Sequence, residues 1–261
     1  MGELHSDRPA DGVLRLTISN PAKRNALDQS ILDAIAAAVG GLDDDVRCVL
    51  LTGAGGMFSS GYDIGEIPDD VFAHEAERLV AHPFTAALEA LDACPVATMA
   101  GLGGHTIGGG LELALACDLR VAADGIALGM PPAKLGLVYS HTGVRRFIDA
   151  IGVPRTRELF LLGRTIDART ALGWGLVNEL ALPADLDDEA LDWARELAAN
   201  APLSMRGNKR VVAELLRARA DLDPDVEREL IELRRACFAS QDLREGIRAF
   251  AQKRPARWRG R

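Results

Sequence analysis

The chain is 261 residues long, 48% hydrophobic, and carries a formal net charge of −8. Its size and apolar content suffice for a full buried core, in one large domain or a domain with an appendage. The acidic balance argues against general nucleic-acid binding. No apolar run reaches the length of a membrane span, and the polar opening Met1-GELHSDRPADG lacks the apolar stretch of a secretory signal. The four cysteines (Cys48, Cys94, Cys117 and Cys237) are scattered without metal-ligand or disulfide spacing. Together these properties predict a reduced, cytoplasmic protein with no membrane or nucleic-acid partner.

In chain order, Leu14, Leu16 and Ile18 alternate with Arg15, Thr17 and Ser19, the period of a half-buried strand. Asp28 stands where it would cap a helix with Ile31, Leu32, Ile35 and Val39 on one face. Val46-RCVLLT reads as a short apolar strand ending in Gly53-Ala54-Gly55-Gly56. A helical segment follows from about Val71 to Leu91, broken near Pro83. Pro95-VATMA, Asp118-LRVAA and Ile126-ALG read as three further strands. The later pattern is helical over His141–Ala150, Arg155–Leu162, Asp167–Leu172, Leu186–Asn200, Leu203–Arg219 and Val226–Phe238, interrupted by Gly175-LVNELAL. Strand–helix alternation followed by helices predicts an α/β core over residues 1–200 and a helical region over 201–261. Basic residues crowd the segment from Gln241 to Arg261, with Phe250 and Trp258 among them. Such a run is either a solvated, weakly ordered tail or a local site for a polyanion.

Two glycine-bearing segments carry the chemistry. One is Phe58-SSGYDIGE; the other runs from Gly101 to Asp118 and reads GLGGHTIGGGLELALACD. The triple glycine Gly108-Gly109-Gly110 opens a helix, whose first N–H groups are unpaired and carry partial positive charge. Glycine there lets a ligand approach the backbone closely. Each segment could equally be a tight strand-to-helix turn. As a pair they suggest two backbone donors for an oxygen that gains negative charge.

These segments, with Asn20-PAKRNALD, Leu135-G, Ala168-RTALGWGLVNEL, Ala201-PLSMRGNK and Glu245-GIRAFAQKR, resemble the crotonase (enoyl-CoA hydratase/isomerase) superfamily over nearly the whole chain. The resemblance implies a spiral of repeated ββα units and a C-terminal helical trimerisation region. It further implies assembly as a homotrimer or a dimer of trimers, and an acyl-CoA thioester as substrate. It aligns the backbone N–H groups of Tyr62 and Gly109 with the family's oxyanion hole. Lys23, Arg24, Ala26, Ser60, Asp63 and Ile64 then match positions that meet coenzyme A, as do Phe250 and Lys253 in the tail. No metal and no separate cofactor is implied, since coenzyme A enters as part of the substrate.

In hydratases of that superfamily two glutamates handle the proton chemistry. Glu112 matches the first; Pro132 stands in place of the second and cannot titrate. Tyr139 and His141, in Leu135-GLVYSHTG, become the further candidates for catalysis. This combination most resembles the superfamily's decarboxylases of 2-carboxyacyl-CoA substrates such as methylmalonyl-CoA. Loss of CO2 delivers a thioester enolate without a base, with Tyr139 orienting the departing carboxylate and Glu112 or a water assisting reprotonation. An enoyl-CoA hydratase or isomerase, or a non-catalytic acyl-CoA-binding protein, are the alternatives. His105 reads as a packing residue.

Overall fold

Strands that are apolar along most of their length sit where both faces are covered, and two such strands form the centre of this molecule. The computed structural model describes residues 2–63, 75, 77–78, 80–218 and 223–259. Within them β1 (Glu3–Ala10), β2 (Val13–Ser19), β3 (Cys48–Gly53), β5 (Ala97–Leu102), β7 (Leu119–Ala123) and β10 (Glu179–Ala181) form one six-stranded sheet in the order β1-β2-β3-β5-β7-β10. The β1–β2 pairing is antiparallel and the others are parallel. A second sheet of four very short strands has the order β4-β6-β8-β9, from β4 (Met57–Ser59), β6 (His105–Ile107), β8 (Ala127–Gly129) and β9 (Thr165–Asp167). Every residue of β5 is buried.

The two sheets arise from a repeat. A long strand of the first sheet (β3, β5 or β7) is followed within a few residues by a short strand of the second (β4, β6 or β8) and then by a helix. The bends between them press on one another: a Cβ added at Gly104 would lie 2.1 Å from the carbonyl oxygen of Gly56. These are the repeated ββα units the resemblance implies.

The described helices are α1 (Gln29–Gly40), α2 (Thr85–Ala93), α3 (Gly109–Ala116), α4 (Pro132–Leu135), α5 (His141–Leu162), α6 (Ala168–Trp174), α7 (Leu186–Ala199), α8 (Pro202–Arg217), α9 (Pro224–Phe238) and α10 (Gln241–Ala251). Asp28 caps α1 as expected, its side chain accepting from the Ile31 N–H; Ile31, Leu32, Ile35 and Val39 form the buried face. α3 is buried on every side, and its C-terminal end is held by Arg120. That guanidinium lies in the core and donates to the carbonyls of Ala114, Cys117 and Leu176. A cation at this end also complements the helix dipole.

Several boundaries differ from the sequence expectation. The polar N-terminus forms β1, an edge strand with one partner, so it needs no apolar alternation; Arg15 and Asp7 bridge it to β2. The two helices expected over His141–Ala150 and Arg155–Leu162 are both present within α5, which is broken between them at Gly152, whose φ 75° and ψ 165° are not helical, ahead of Pro154. Of Gly175-LVNELAL, only Glu179–Ala181 pairs as a strand. The basic tail is ordered through α10, which Ser240 caps and which buries Leu243, Gly246 and Ala249; Arg254 closes on Glu245 with contacts of 2.6 and 3.0 Å. Near Pro83 the chain makes a π-helical turn, Val80–Phe84, before α2; the earlier part of the expected Val71–Leu91 helix falls largely outside the described residues. Among the described residues no helix is long and apolar enough to cross a membrane.

Candidate active site

The site forms where the loop after β4 meets the start of α3. Leu27 makes a parallel bridge to Tyr62. The Leu27 N–H donates to the Gly61 carbonyl (2.8 Å), and the Asp63 N–H donates to the Leu27 carbonyl (3.0 Å). In such a bridge the residue between the two bonds turns its own N–H to the opposite side, so the Tyr62 N–H points away from Leu27. Gly61, at φ 99°, has a backbone conformation that favours glycine, and a Cβ there would be crowded, 3.1 Å from the Ile107 carbonyl oxygen and 3.3 Å from the Gly109 nitrogen. The loop and the helix start are therefore in direct contact.

Gly108 precedes α3 with φ 58° and ψ −128°, a conformation open to glycine alone. Its carbonyl takes the N–H groups of Leu111 and Glu112. Gly109 is the first helical residue, and among the described residues neither its N–H nor that of Tyr62 has an acceptor. Two separate turns thus bare one donor each at a helix N-terminus.

One turn along α3, Glu112 is 1% exposed. The Tyr139 hydroxyl donates to its Oε2 at 2.5 Å, and the hydroxyls of Tyr62 and Tyr139 are 3.2 Å apart. Oε1 lies over the first turn of α5, where a Cβ added at Gly143 would stand 2.7 Å from it and 2.6 Å from Tyr139 Cε1. Burial pushes the Glu112 carboxyl up from 4.5 to about 7, and nearby Asp92 adds to the rise. The Tyr139 hydrogen bond and the charges of Arg146 and Arg234 oppose it. Both tyrosines are pushed well above 10 by burial and by the neighbouring carboxyl. Near neutral pH this is a site of neutral hydroxyls beside a carboxyl poised between its acid and its anion.

An aromatic wall fixes the two phenols. The Tyr62 ring packs edge-on to Phe84 with centroids 4.7 Å apart and lies roughly parallel to Tyr139 at 6.5 Å. Tyr139 packs edge-on to Phe160 at 5.5 Å. The Tyr62 ring also rests on Gly109, whose added Cβ would be 2.8 Å from Cε1.

The other expected positions divide into three groups. Lys23, Arg24, Ser60 and Asp63 come together: Lys23 Nζ is 2.9 Å from Asp63 Oδ2, the Ser60 hydroxyl donates to the Lys23 carbonyl, and the Ser60 N–H donates to that of Arg24. Ala26 is buried beside them, and Ile64 lies outside the described residues. Phe250 is exposed near the end of α10 and Lys253 just beyond it at φ 51°, on an element that packs against α4 and α9. His141 pairs with Glu227 of α9 at 3.3 Å, whereas His105 accepts the Ala127 N–H through Nδ1. Pro132 is buried at the start of α4.

Sequence reasoning did not find Gly143, Arg146 or Asp92. Gly143 stands three residues after the helix cap Ser140, whose hydroxyl accepts its N–H; a capped helix start next to Tyr139 was the available signal. Arg146 and Asp92 form a two-point pair, both contacts 2.8 Å, across 54 residues that no local pattern links. Among the described residues no cluster of three or more His, Cys, Asp or Glu is placed to hold a metal.

The repeated ββα spiral, with paired backbone donors above a buried glutamate, is the architecture of crotonase-class enzymes that process acyl-CoA thioesters. The chain belongs to the enoyl-CoA hydratase/isomerase family, whose model matches residues 8–261. It is 34% identical to a carnitinyl-CoA dehydratase of Salmonella arizonae over 264 aligned positions, covering 95% of each chain. Its fold is similar to that of a methylmalonyl-CoA decarboxylase bound to 2-nitronate-propionyl-CoA, with a TM-score of 0.88 at 25% identity over 99% of this chain and 98% of that one. An enoyl-CoA hydratase/isomerase of Pseudoalteromonas atlantica is also similar, at a TM-score of 0.82 and 27% identity over 98% and 99%.

Proposed function

We propose that this enzyme decarboxylates a 2-carboxyacyl-CoA such as methylmalonyl-CoA. The observation that carries the reading is the Tyr139–Glu112 hydrogen bond, in a chain with Pro132 where hydratases of the family place a second carboxylate. The N–H groups of Tyr62 and Gly109 hold the thioester oxygen. As the bond to CO2 breaks, its electron pair moves into the thioester and that oxygen gains charge. A preorganised donor of this kind contributes roughly 3–4 kcal/mol to the transition state. Protonated Glu112 donates to the Tyr139 oxygen, which frees the phenolic hydrogen to bind the substrate carboxylate and hold it out of the thioester plane. Coenzyme A lies along Lys23, Arg24, Ala26, Ser60 and Asp63, with Phe250 and Lys253 reaching it from the tail. No metal or further cofactor takes part in this scheme.

The same resemblance supports a homotrimer or dimer of trimers, and the exposed Leu203, Val211, Val212 and Leu215 of α8 give such an assembly apolar surface to bury. A cytoplasmic location goes with this reading. Incubation with methylmalonyl-CoA tests it, with products followed by mass: propionyl-CoA and CO2 are expected. A hydratase acting through Glu112 is the second reading, favoured by the 34% identity to a dehydratase. Hydration of crotonyl-CoA without CO2 release from methylmalonyl-CoA would establish it instead.

A further inference from the structure

We infer that the Tyr62 hydroxyl is the group that hands a proton to the α-carbon, supplied from Glu112 through Tyr139. The inference rests on the decarboxylase reading above and assigns a role to a side chain that reading uses only through its backbone. Three oxygens stand in a row, Glu112 Oε2 to Tyr139 at 2.5 Å and Tyr139 to Tyr62 at 3.2 Å. A phenol both donates and accepts, so the row can point either way. With Glu112 ionised, Tyr139 donates inward to it. With Glu112 protonated, the carboxyl donates to Tyr139 and the free hydrogens point outward.

The ends of the row differ. Glu112 is 1% exposed, with Oε2 behind Tyr139. Tyr62 is partly exposed, and among the described residues Tyr139 is the one hydrogen-bond partner of its hydroxyl. The Tyr62 ring lies across Gly109, so the phenol whose backbone N–H meets the thioester oxygen also borders the adjacent carbon.

The row also orders the steps. While the substrate carboxylate is present it holds the Tyr139 hydrogen. Once the bond to CO2 breaks and its electron pair enters the enolate, that hydrogen is released to Tyr62. The Tyr62 O–H then breaks as the new C–H bond forms. The Tyr139 proton passes to the Tyr62 oxygen and the Glu112 proton to the Tyr139 oxygen. Both phenols end neutral, and Glu112 is left as a carboxylate that takes a proton from water.

The test is turnover of methylmalonyl-CoA in D2O by wild type and Tyr62→Phe, reading CO2 and the configuration of the deuterated propionyl-CoA. Phenylalanine keeps the ring on Gly109 and so keeps the backbone donor in place. Wild type should give one configuration. Tyr62→Phe should release CO2 within about tenfold of wild type, short of the ~10²–10⁴-fold that loss of a rate-limiting proton donor costs. Its product should tend toward equal amounts of both configurations, because deuterium then arrives from water. Retention of the wild-type configuration by Tyr62→Phe would overturn the inference while leaving the decarboxylase reading intact, as would a racemic product from wild type. No CO2 from wild type would overturn the reading and this inference with it. Should Tyr62→Phe fold poorly, Tyr139→Phe interrupts the same row and must also lose the configuration.

Discussion

Tyr139 and Glu112 are joined by a hydrogen bond of 2.5 Å between a phenol and a carboxyl almost sealed from water. Each member changes what the other can do. The phenol steadies the carboxylate against the cost of burial, and the carboxyl decides whether the phenolic hydrogen is free to meet a substrate. Arg146 and Arg234 pull toward the anion and Asp92 pushes toward the acid.

Removing the phenol should leave the fold standing and slow the chemistry. Tyr139→Phe keeps the ring contact with Phe160 and loses the hydrogen bonds of the hydroxyl to Glu112 and Tyr62, which together cost about 1–3 kcal/mol. CO2 release should fall by roughly 10²–10³-fold. The Glu112 carboxyl, deprived of a bond that lowers it, should titrate above its present value of about 7. Steady-state kinetics and a thermal melt on the same preparation check both parts.

Stability should carry the mark of Glu112 between pH 4.5 and 7. The unfolded carboxyl ionises near 4.5 and the folded one near 7, so across that window the fold holds a proton that the unfolded chain has lost. The contribution is fully present below 4.5 and is lost as pH rises through about 7, a decline of about 3 kcal/mol. Urea unfolding of wild type and Glu112→Gln at pH 5 and pH 8 should show the difference. Under the proposed mechanism kcat should fall over the upper part of the same range.

Gly143 offers a separation of stability from activity. In a helix, alanine is favoured over glycine by about 1 kcal/mol, yet a methyl group here would stand 2.6 Å from Tyr139 and 2.7 Å from Glu112. Gly143→Ala should change the unfolding free energy by no more than about 2 kcal/mol and cut kcat by about 10²-fold, the usual result of displacing catalytic groups by an ångström. Activity lost in a protein with a near wild-type melting curve is the expected outcome.

Lys23 should act on binding alone. Its ammonium is held 2.9 Å from Asp63 and its side chain is a third exposed (33%), next to Ser60, whose hydroxyl donates to the Lys23 carbonyl. Lys23→Ala should raise KM by roughly 5–20-fold with kcat unchanged, corresponding to about 1–2 kcal/mol of uniform binding. A matching change in kcat would place Lys23 elsewhere in the mechanism.

Much of the architecture was legible because it rests on local periods. The apolar run of β3, the Asp28 cap and the buried face of α1 are properties of neighbouring residues, and the glycines around Gly61 and Gly108 announced close backbone approach before any contact was known. β8 was legible as Ile126-ALG, whereas β4, β6 and β9 were harder: three residues do not make a period. β1 escaped notice because an edge strand has no need of apolar alternation. The spacing of Leu243, Gly246 and Ala249 in α10 was present but outweighed by the surrounding charge.

What the sequence by itself determined was the longer strands and most of the helices, their order, and the presence of glycine turns beside a carboxyl and a tyrosine. Tertiary structure alone decided which groups meet. It turned His141 to Glu227, 86 positions away and on another helix, and brought the Tyr62 hydroxyl to Tyr139 across 77 positions. The physical reason lies in the range of the forces. Helix and strand periods are written within a few residues, whereas a buried hydrogen bond between distant residues depends on how whole layers pack. Only that packing removes the water that would otherwise leave Glu112 an ordinary ionised acid.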